Sequence, residues 1–166
     1  MAANSNPFAI THEFDAPVEK VFAAWTEPEQ LKQWYAPKDY SILFAKADIK
    51  PGGSTHYCMI SEHGLELWYK LFYQEVIPPA KLSYTQVFSN EEGNIKPHPM
   101  ILDWPLEVAT TVMLDEKHGK TCLEISWEPV NASIKEITKF SDGFHELGQE
   151  WLGTLKQLET FLENQQ

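Results

Sequence analysis

This sequence is poor in positive charge, in cysteine and in long apolar runs, and each shortage removes a class of function. Its 13 Lys and Arg residues stand against 24 Asp and Glu, a formal net charge of −11 with a sequence pI near 4.9. Nucleic acids and anionic membrane surfaces are read by clustered Lys and Arg, so neither is expected as a partner. The two cysteines, Cys58 and Cys122, lie far apart inside apolar stretches and form neither a disulfide framework nor a Cys-x-x-Cys pair. No run approaches the ~18 apolar residues that a membrane span requires. The opening MAANSNPFAITHEF lacks the basic and apolar regions of a signal peptide. A soluble, cytoplasmic protein is the expectation.

Catalytic signatures are missing as well. His145-Glu146 is followed by Gln149-Glu150, where a zinc-protease motif needs a second histidine. There is no Gly-x-Ser-x-Gly elbow, and Pro51-Gly52-Gly53 is a single turn rather than a phosphate-cradling loop. No metal, cofactor or catalytic residue is therefore assigned. Two arrangements stay open on the residues alone. One is a zinc site of His56, Cys58 and Cys122, which requires their strands to be neighbours. The other is acid/base chemistry drawn from Tyr57, Tyr69, Tyr84, Glu107, His56 and His145, tuned by burial.

What the chain does have is aromatic rings: 6 Trp, 6 Tyr and 9 Phe, 13% of the residues, at a mean hydropathy of only −0.36. With 166 residues, no repeat and no linker, one domain spanning 1–166 is expected. Alternation over Phe8 to Phe14 predicts a strand, closed by Asp15-Ala-Pro17. Asp15 is the expected cap of a short helix carrying Val18, Val21, Phe22 and Trp25, and Thr26 the expected cap of a second with Leu31, Trp34 and Tyr35. Strands are then predicted over 41–49, 54–60, 65–76, 82–88, 106–114 and 121–128, joined in series as an antiparallel sheet. Ile137, Phe140, Phe144, Leu147, Trp151, Leu155 and Leu158 recur every three or four residues, one continuous face of a long last helix. That face needs a large apolar partner, and a curved sheet is the available one. Gly143, Gly148 and Gly153 lie within this helix, where they either relieve packing beside Phe144 and Trp151 or leave space.

This order of elements resembles the helix-grip fold of the START-like (SRPBCC) superfamily. Within it, the chain is similar to the family named after the C-terminal domain of the activator of Hsp90 ATPase. The resemblance is carried by Asp15-Ala-Pro17 with Val21-Phe22-Ala-Ala-Trp25, Pro28-Glu-Gln-Leu31, and Trp34-Tyr35-Ala-Pro37. It continues through Asp48-Ile-Lys-Pro51-Gly52-Gly53, Glu75-Val-Ile-Pro78-Pro79-Ala-Lys-Leu82 and Trp151, over nearly the whole chain. It implies an α+β fold in which a curved antiparallel sheet wraps a long C-terminal helix, with two short helices after the first strand and a cavity between sheet and helix.

The leading expectation is thus a protein that binds a small hydrophobic or aromatic molecule in that cavity. Alternation and helical period nominate Tyr57, Met59, Trp68, Tyr69, Tyr84, Trp104, Trp127, Phe140, Phe144 and Trp151 as lining, with the strand face open to a one-residue error. The irregular segment 90–105, NEEGNIKPHPMILDWP, is expected to close one mouth of the cavity with Trp104. Its alternative role is a contact patch for a second copy, making a homodimer. A chaperone-linked interaction protein is a second reading. Against an Hsp90-type chaperone as partner, the chain leaves no room for the activator's separate N-terminal domain and lacks an NWHW-type segment. A third reading is a cyclase- or hydrolase-like enzyme acting on an aromatic natural product in the same cavity.

Overall fold

A computed structural model describes residues 8–165; the first seven residues of the stretch read above for a targeting signal lie outside the described residues. Strand β1 (Ala9–Phe14) is followed by helices α1 (Val18–Thr26) and α2 (Pro28–Trp34). Strands β2 (Tyr40–Ala47), β3 (Ser54–Ser61), β4 (Glu66–Ile77) and β5 (Lys81–Ser89) then run in series. A two-residue strand, β6 (Ile95–Lys96), precedes the hairpin of β7 (Glu107–Lys117) and β8 (Lys120–Val130). Helix α3 (Ile134–Glu163) ends the chain. The curved sheet is antiparallel throughout in the order β1-β8-β7-β5-β4-β3-β2, with β6 paired to β5. The expected α+β architecture is the one observed. No helix among the described residues is long and apolar enough to cross a membrane.

The hairpins follow from local chemistry. His118 and Gly119 both take positive φ, 56° and 79°, as the two central residues of a type I′ turn must, and this sets β7 against β8. Val112 then opposes Ile125 and Leu114 opposes Leu123, so one face of the hairpin is apolar. Helix α3 begins with a capping box: Ser133 Oγ accepts from the Glu136 N–H at 3.1 Å while Glu136 Oε1 accepts from the Ser133 N–H at 2.8 Å.

Both expected caps of the short helices are corrected. Pro17, not Asp15, holds the N-cap position of α1, and its lack of a side-chain acceptor is met by Glu116 Oε1 on β7, which takes the Val18 N–H at 2.7 Å. Thr26 belongs to the end of α1, its hydroxyl donating to the Phe22 carbonyl at 2.9 Å. Glu27 precedes α2, with Pro28 in the first turn where its missing N–H costs nothing.

The core lies between the concave face of the sheet and the helices. Phe140, Leu155, Leu158 and Leu162 of α3 are buried against it, together with Trp25 of α1 and Trp34 of α2. The Trp34 indole N–H donates to the Ala24 carbonyl at 3.0 Å, tying α2 to α1. Gln157 Nε2 donates to the carbonyls of Trp34 and Ala36 at 2.8 and 2.7 Å and fastens α3 to the end of α2. Thr55 and Tyr73 share a buried hydroxyl pair at 2.8 Å. These contacts hold the C-terminal half of α3 against the sheet. Nearer its N-terminus the helix faces aromatic rings instead of a filled core.

Candidate functional site

Between the middle of α3 and the concave face of the sheet lie two adjoining cavities of about 220 and 100 Å³. Tyr69, Gln86, Leu147, Glu150 and Trp151 line both. Sheet alternation explains which strand residues reach them. Tyr57 opposes Tyr69 across β3 and β4, and on β5 the residues sharing the face of Leu82 and Tyr84 are Gln86 and Phe88. A wider groove of about 760 Å³, where α2, the start of β2 and the end of α3 meet, is open to solvent and lined largely by polar residues such as Lys32, Lys38 and Gln157. It borders the smaller cavity at Pro37, which lines both.

Around the two cavities the rings form a closed circuit. Tyr69 meets Phe88 at 4.8 Å, Phe88 meets His98 at 4.4 Å, and His98 meets Trp104 at 5.9 Å. Trp104 continues to Phe140 at 5.1 Å, Phe140 to Phe144 at 6.2 Å, and Phe144 to Trp127 at 5.7 Å. Trp127 and Trp151 are 5.7 Å apart, Trp151 and Tyr35 also 5.7 Å, and Tyr35 reaches Tyr57 at 5.9 Å. Tyr57 stacks on Tyr69 at 5.0 Å and closes the ring. Every member except Phe144 lines one cavity or the other. Edge-on and tilted contacts are the arrangements that aromatic rings favour, and most links of this circuit are of that kind.

The segment after β6 folds back over one end of the larger cavity. Lys135 Nζ and Asp103 Oδ2 approach to 3.4 Å, and Trp104 lies against Gly143, where an added Cβ would stand 3.1 Å from the indole Cζ3. Gly143 is thus the glycine of α3 that admits a neighbouring ring. Gly148 has only Ile10 at 4.0 Å, and Gly153 has nothing within 4 Å. Ile101 of the same segment lines the cavity, while Met100 and Leu102 point outward.

Of the ten nominated residues, Tyr57, Met59, Tyr69, Trp104, Trp127, Phe140 and Trp151 line the cavities. Trp68 does not, because it neighbours Tyr69 on β4 and alternation sends it to the convex face. There its ring meets His56 at 5.0 Å and its N–H reaches Glu66 at 3.3 Å. Tyr84 is fully buried behind the wall, its hydroxyl 3.3 Å from that of Tyr35. Phe144 supports the wall through Phe8, Phe140 and Trp127. Of the open acid/base set, His56 and Glu107 lie on the convex face and His145 on the exposed side of α3. The zinc set is broken too. Cys122 is on β8, with β7, β5 and β4 between it and the β3 strand of His56 and Cys58.

The polar groups at the cavities that sequence reasoning missed are Gln86, His98, Glu146 and Glu150, with Tyr35 and Thr154 in the smaller one. Gln86 was readable from its alternation with Tyr84 and Phe88. Glu146 and Glu150 flank Leu147 and Trp151 on the helical face, and nothing local marks His98. Burial lowers the His98 imidazole pKa below its usual value. The ring nitrogen Nδ1 also accepts from the N–H groups of Met100 and Ile101, both at 3.0 Å, which favours the neutral ring further. Burial likewise raises the phenols of Tyr35, Tyr57 and Tyr69, so they stay protonated and can donate. Glu150 titrates above the ordinary carboxylate range, first through partial desolvation and then through repulsion from Glu146.

Residues 15–163 match the family model described as Activator of Hsp90 ATPase homolog 1-like protein. No curated protein matches the chain. Among solved structures, a protein of Arthrobacter aurescens superposes with a TM-score of 0.80 at 20% identity, covering 99% of this chain and 92% of that one. A Staphylococcus epidermidis protein gives 0.75 at 24% identity over 100% and 96%. Protein Ms6760 of Mycobacterium smegmatis gives 0.76 at 21% identity over 93% and 88%. At these identities the likeness is one of fold.

Proposed function

We propose that this chain, which belongs to the Activator of Hsp90 ATPase homolog 1-like family, binds one small apolar or aromatic molecule in the ring-lined space between sheet and helix. The observation that carries this reading is the closed aromatic circuit around unfilled volume. Ligand sites are concave, largely apolar recesses of this kind, with a few polar groups that orient what they hold. A cavity of about 220 Å³, with a side chamber of about 100 Å³, suits a ligand of one or two rings; an apolar space of ~150 Å³ already admits benzene. Tyr69 and Gln86 offer it polar contacts, since neither the phenol nor the amide is hydrogen-bonded to a described residue.

The role is binding. The phenols are held protonated, His98 Nδ1 is engaged by two backbone N–H groups, and the groups facing the space are those that hold a ligand, rings with a phenol and an amide. The test is a fluorescence titration with the neutral probe N-phenyl-1-naphthylamine, followed beside far- and near-ultraviolet circular dichroism. One equivalent should bind with the folded spectrum intact. Absence of saturable binding, or binding only as the near-ultraviolet signal is lost, removes the reading.

A further inference from the structure

The cavity has a charge as well as a shape. The only ionised side chains lining it belong to Glu146 and Glu150, which stand at its rim on α3, exposed and with no ion-pair or hydrogen-bond partner among the described residues. Glu150 borders the smaller chamber too. No lysine lines either space, and the chain has no arginine at all, its 13 cations all being lysines. On α3 the acids Asp142, Glu146 and Glu150 follow one another at four-residue spacing, with no lysine between Lys139 and Lys156 to pair with them. Like charges at that spacing weaken a helix. The Glu150 pKa is raised first by partial desolvation and then by this repulsion. Such a pair becomes favourable once a cation lies between the carboxylates.

The walls agree with the rim. Ring faces attract cations through their quadrupole, indole most strongly, and Trp151, Trp127 and Tyr69 line the same cavity as the two carboxylates. The polar groups offered from the other elements carry no charge: the Tyr69 phenol from β4, the Gln86 amide from β5 and the neutral His98 ring from the loop. We propose that the cavity selects an organic cation, an aryl or alkyl body inside the aromatic circuit with a protonated amine or quaternary ammonium head at the Glu146–Glu150 rim. This rests on the ligand-binding reading above and adds the charge of the ligand to it.

The test displaces N-phenyl-1-naphthylamine with three probes of similar size: phenyltrimethylammonium, its neutral isostere tert-butylbenzene, and benzenesulfonate. The ammonium should compete at a concentration at least about tenfold below that of the sulfonate, the sum of two rim attractions against two repulsions. In the double variant Glu146→Gln and Glu150→Gln, with its fold checked by circular dichroism, that ratio should fall toward one while tert-butylbenzene is unchanged. If ammonium and sulfonate compete equally in the parent, or their ratio survives the double substitution, the charge selection is overturned and the apolar cavity stands. If neither N-phenyl-1-naphthylamine nor tert-butylbenzene binds, the cavity reading falls and this inference with it.

Discussion

Gly143 and Gly153 lie in the same helix, yet alanine at the two positions should behave differently. At Gly153 an added methyl meets nothing within 4 Å, so Gly153→Ala removes the conformational cost of a helical glycine, about 1 kcal/mol. For a chain of this size that is a rise in Tm of about 2–4 °C. Gly143→Ala gains the same from the backbone, but its methyl arrives 3.1 Å from Cζ3 and 3.5 Å from Cη2 of Trp104. The indole is already seated on Phe140 at 5.1 Å, so it must retreat, and overpacking of this kind costs about 1–3 kcal/mol. The half-buried loop position puts the cost near the lower end, and the net change near zero. Thermal melts followed by circular dichroism give the stabilities, and the indole N–H shifts in an ¹⁵N-resolved spectrum report Trp104 directly. Gly143→Ala should move the Trp104 signal while Gly153→Ala leaves it in place. Equal stabilisation by both substitutions with an unmoved Trp104 signal would refute the seating of that ring against α3.

Other substitutions probe the supports of the site. Gln157→Ala orphans the Trp34 and Ala36 carbonyls and should cost about 1–3 kcal/mol in a denaturant titration; an unchanged midpoint would contradict the clamp between α3 and α2. Thr55→Val leaves the buried Tyr73 hydroxyl without its partner and should cost a similar amount, whereas a neutral result would mean that the 2.8 Å pair contributes nothing. Glu150 has its folded-state pKa above the unfolded one, so its contribution favours the fold at low pH and is lost as pH rises through the raised value. Glu150→Gln should therefore gain stability over the parent as pH is taken from about 4 to about 7, and a difference that stays flat would contradict the strain assigned to the rim. His98, with its pKa lowered, favours the fold above its unfolded value and ceases to as pH falls through the folded one. An NMR titration should place it below the ordinary imidazole value, and a value at or above that would remove it from the cavity wall.

Much of the scaffold was legible because it depends on periodicity. Period two placed the strands, and the three-four spacing from Phe140 to Leu158 placed α3, since both patterns express which face must be buried; Ile137, read onto the same face, is exposed. Caps were read less well. Asp15 and Thr26 have suitable side chains, but Glu116, distant in sequence, satisfies the first turn of α1, and Thr26 bonds backward within it. At the site, Trp68 and Tyr69 are sequence neighbours and could not both face inward; the pairing of Tyr57 with Tyr69 decides between them. Tyr35 and His98 closed the aromatic circuit unseen, because one follows a short helix and the other lies in an irregular segment, where no period says which way a ring points.

The central claim is that a small molecule occupies the ring-lined space on the concave side of the sheet. The most direct measurement is a set of intermolecular nuclear Overhauser contacts between N-phenyl-1-naphthylamine and the indole protons of the protein. Contacts to Trp104, Trp127 and Trp151, with none to Trp68 on the convex face, are the result the account predicts. Contacts to Trp68, or to no indole while the probe is bound, would contradict it.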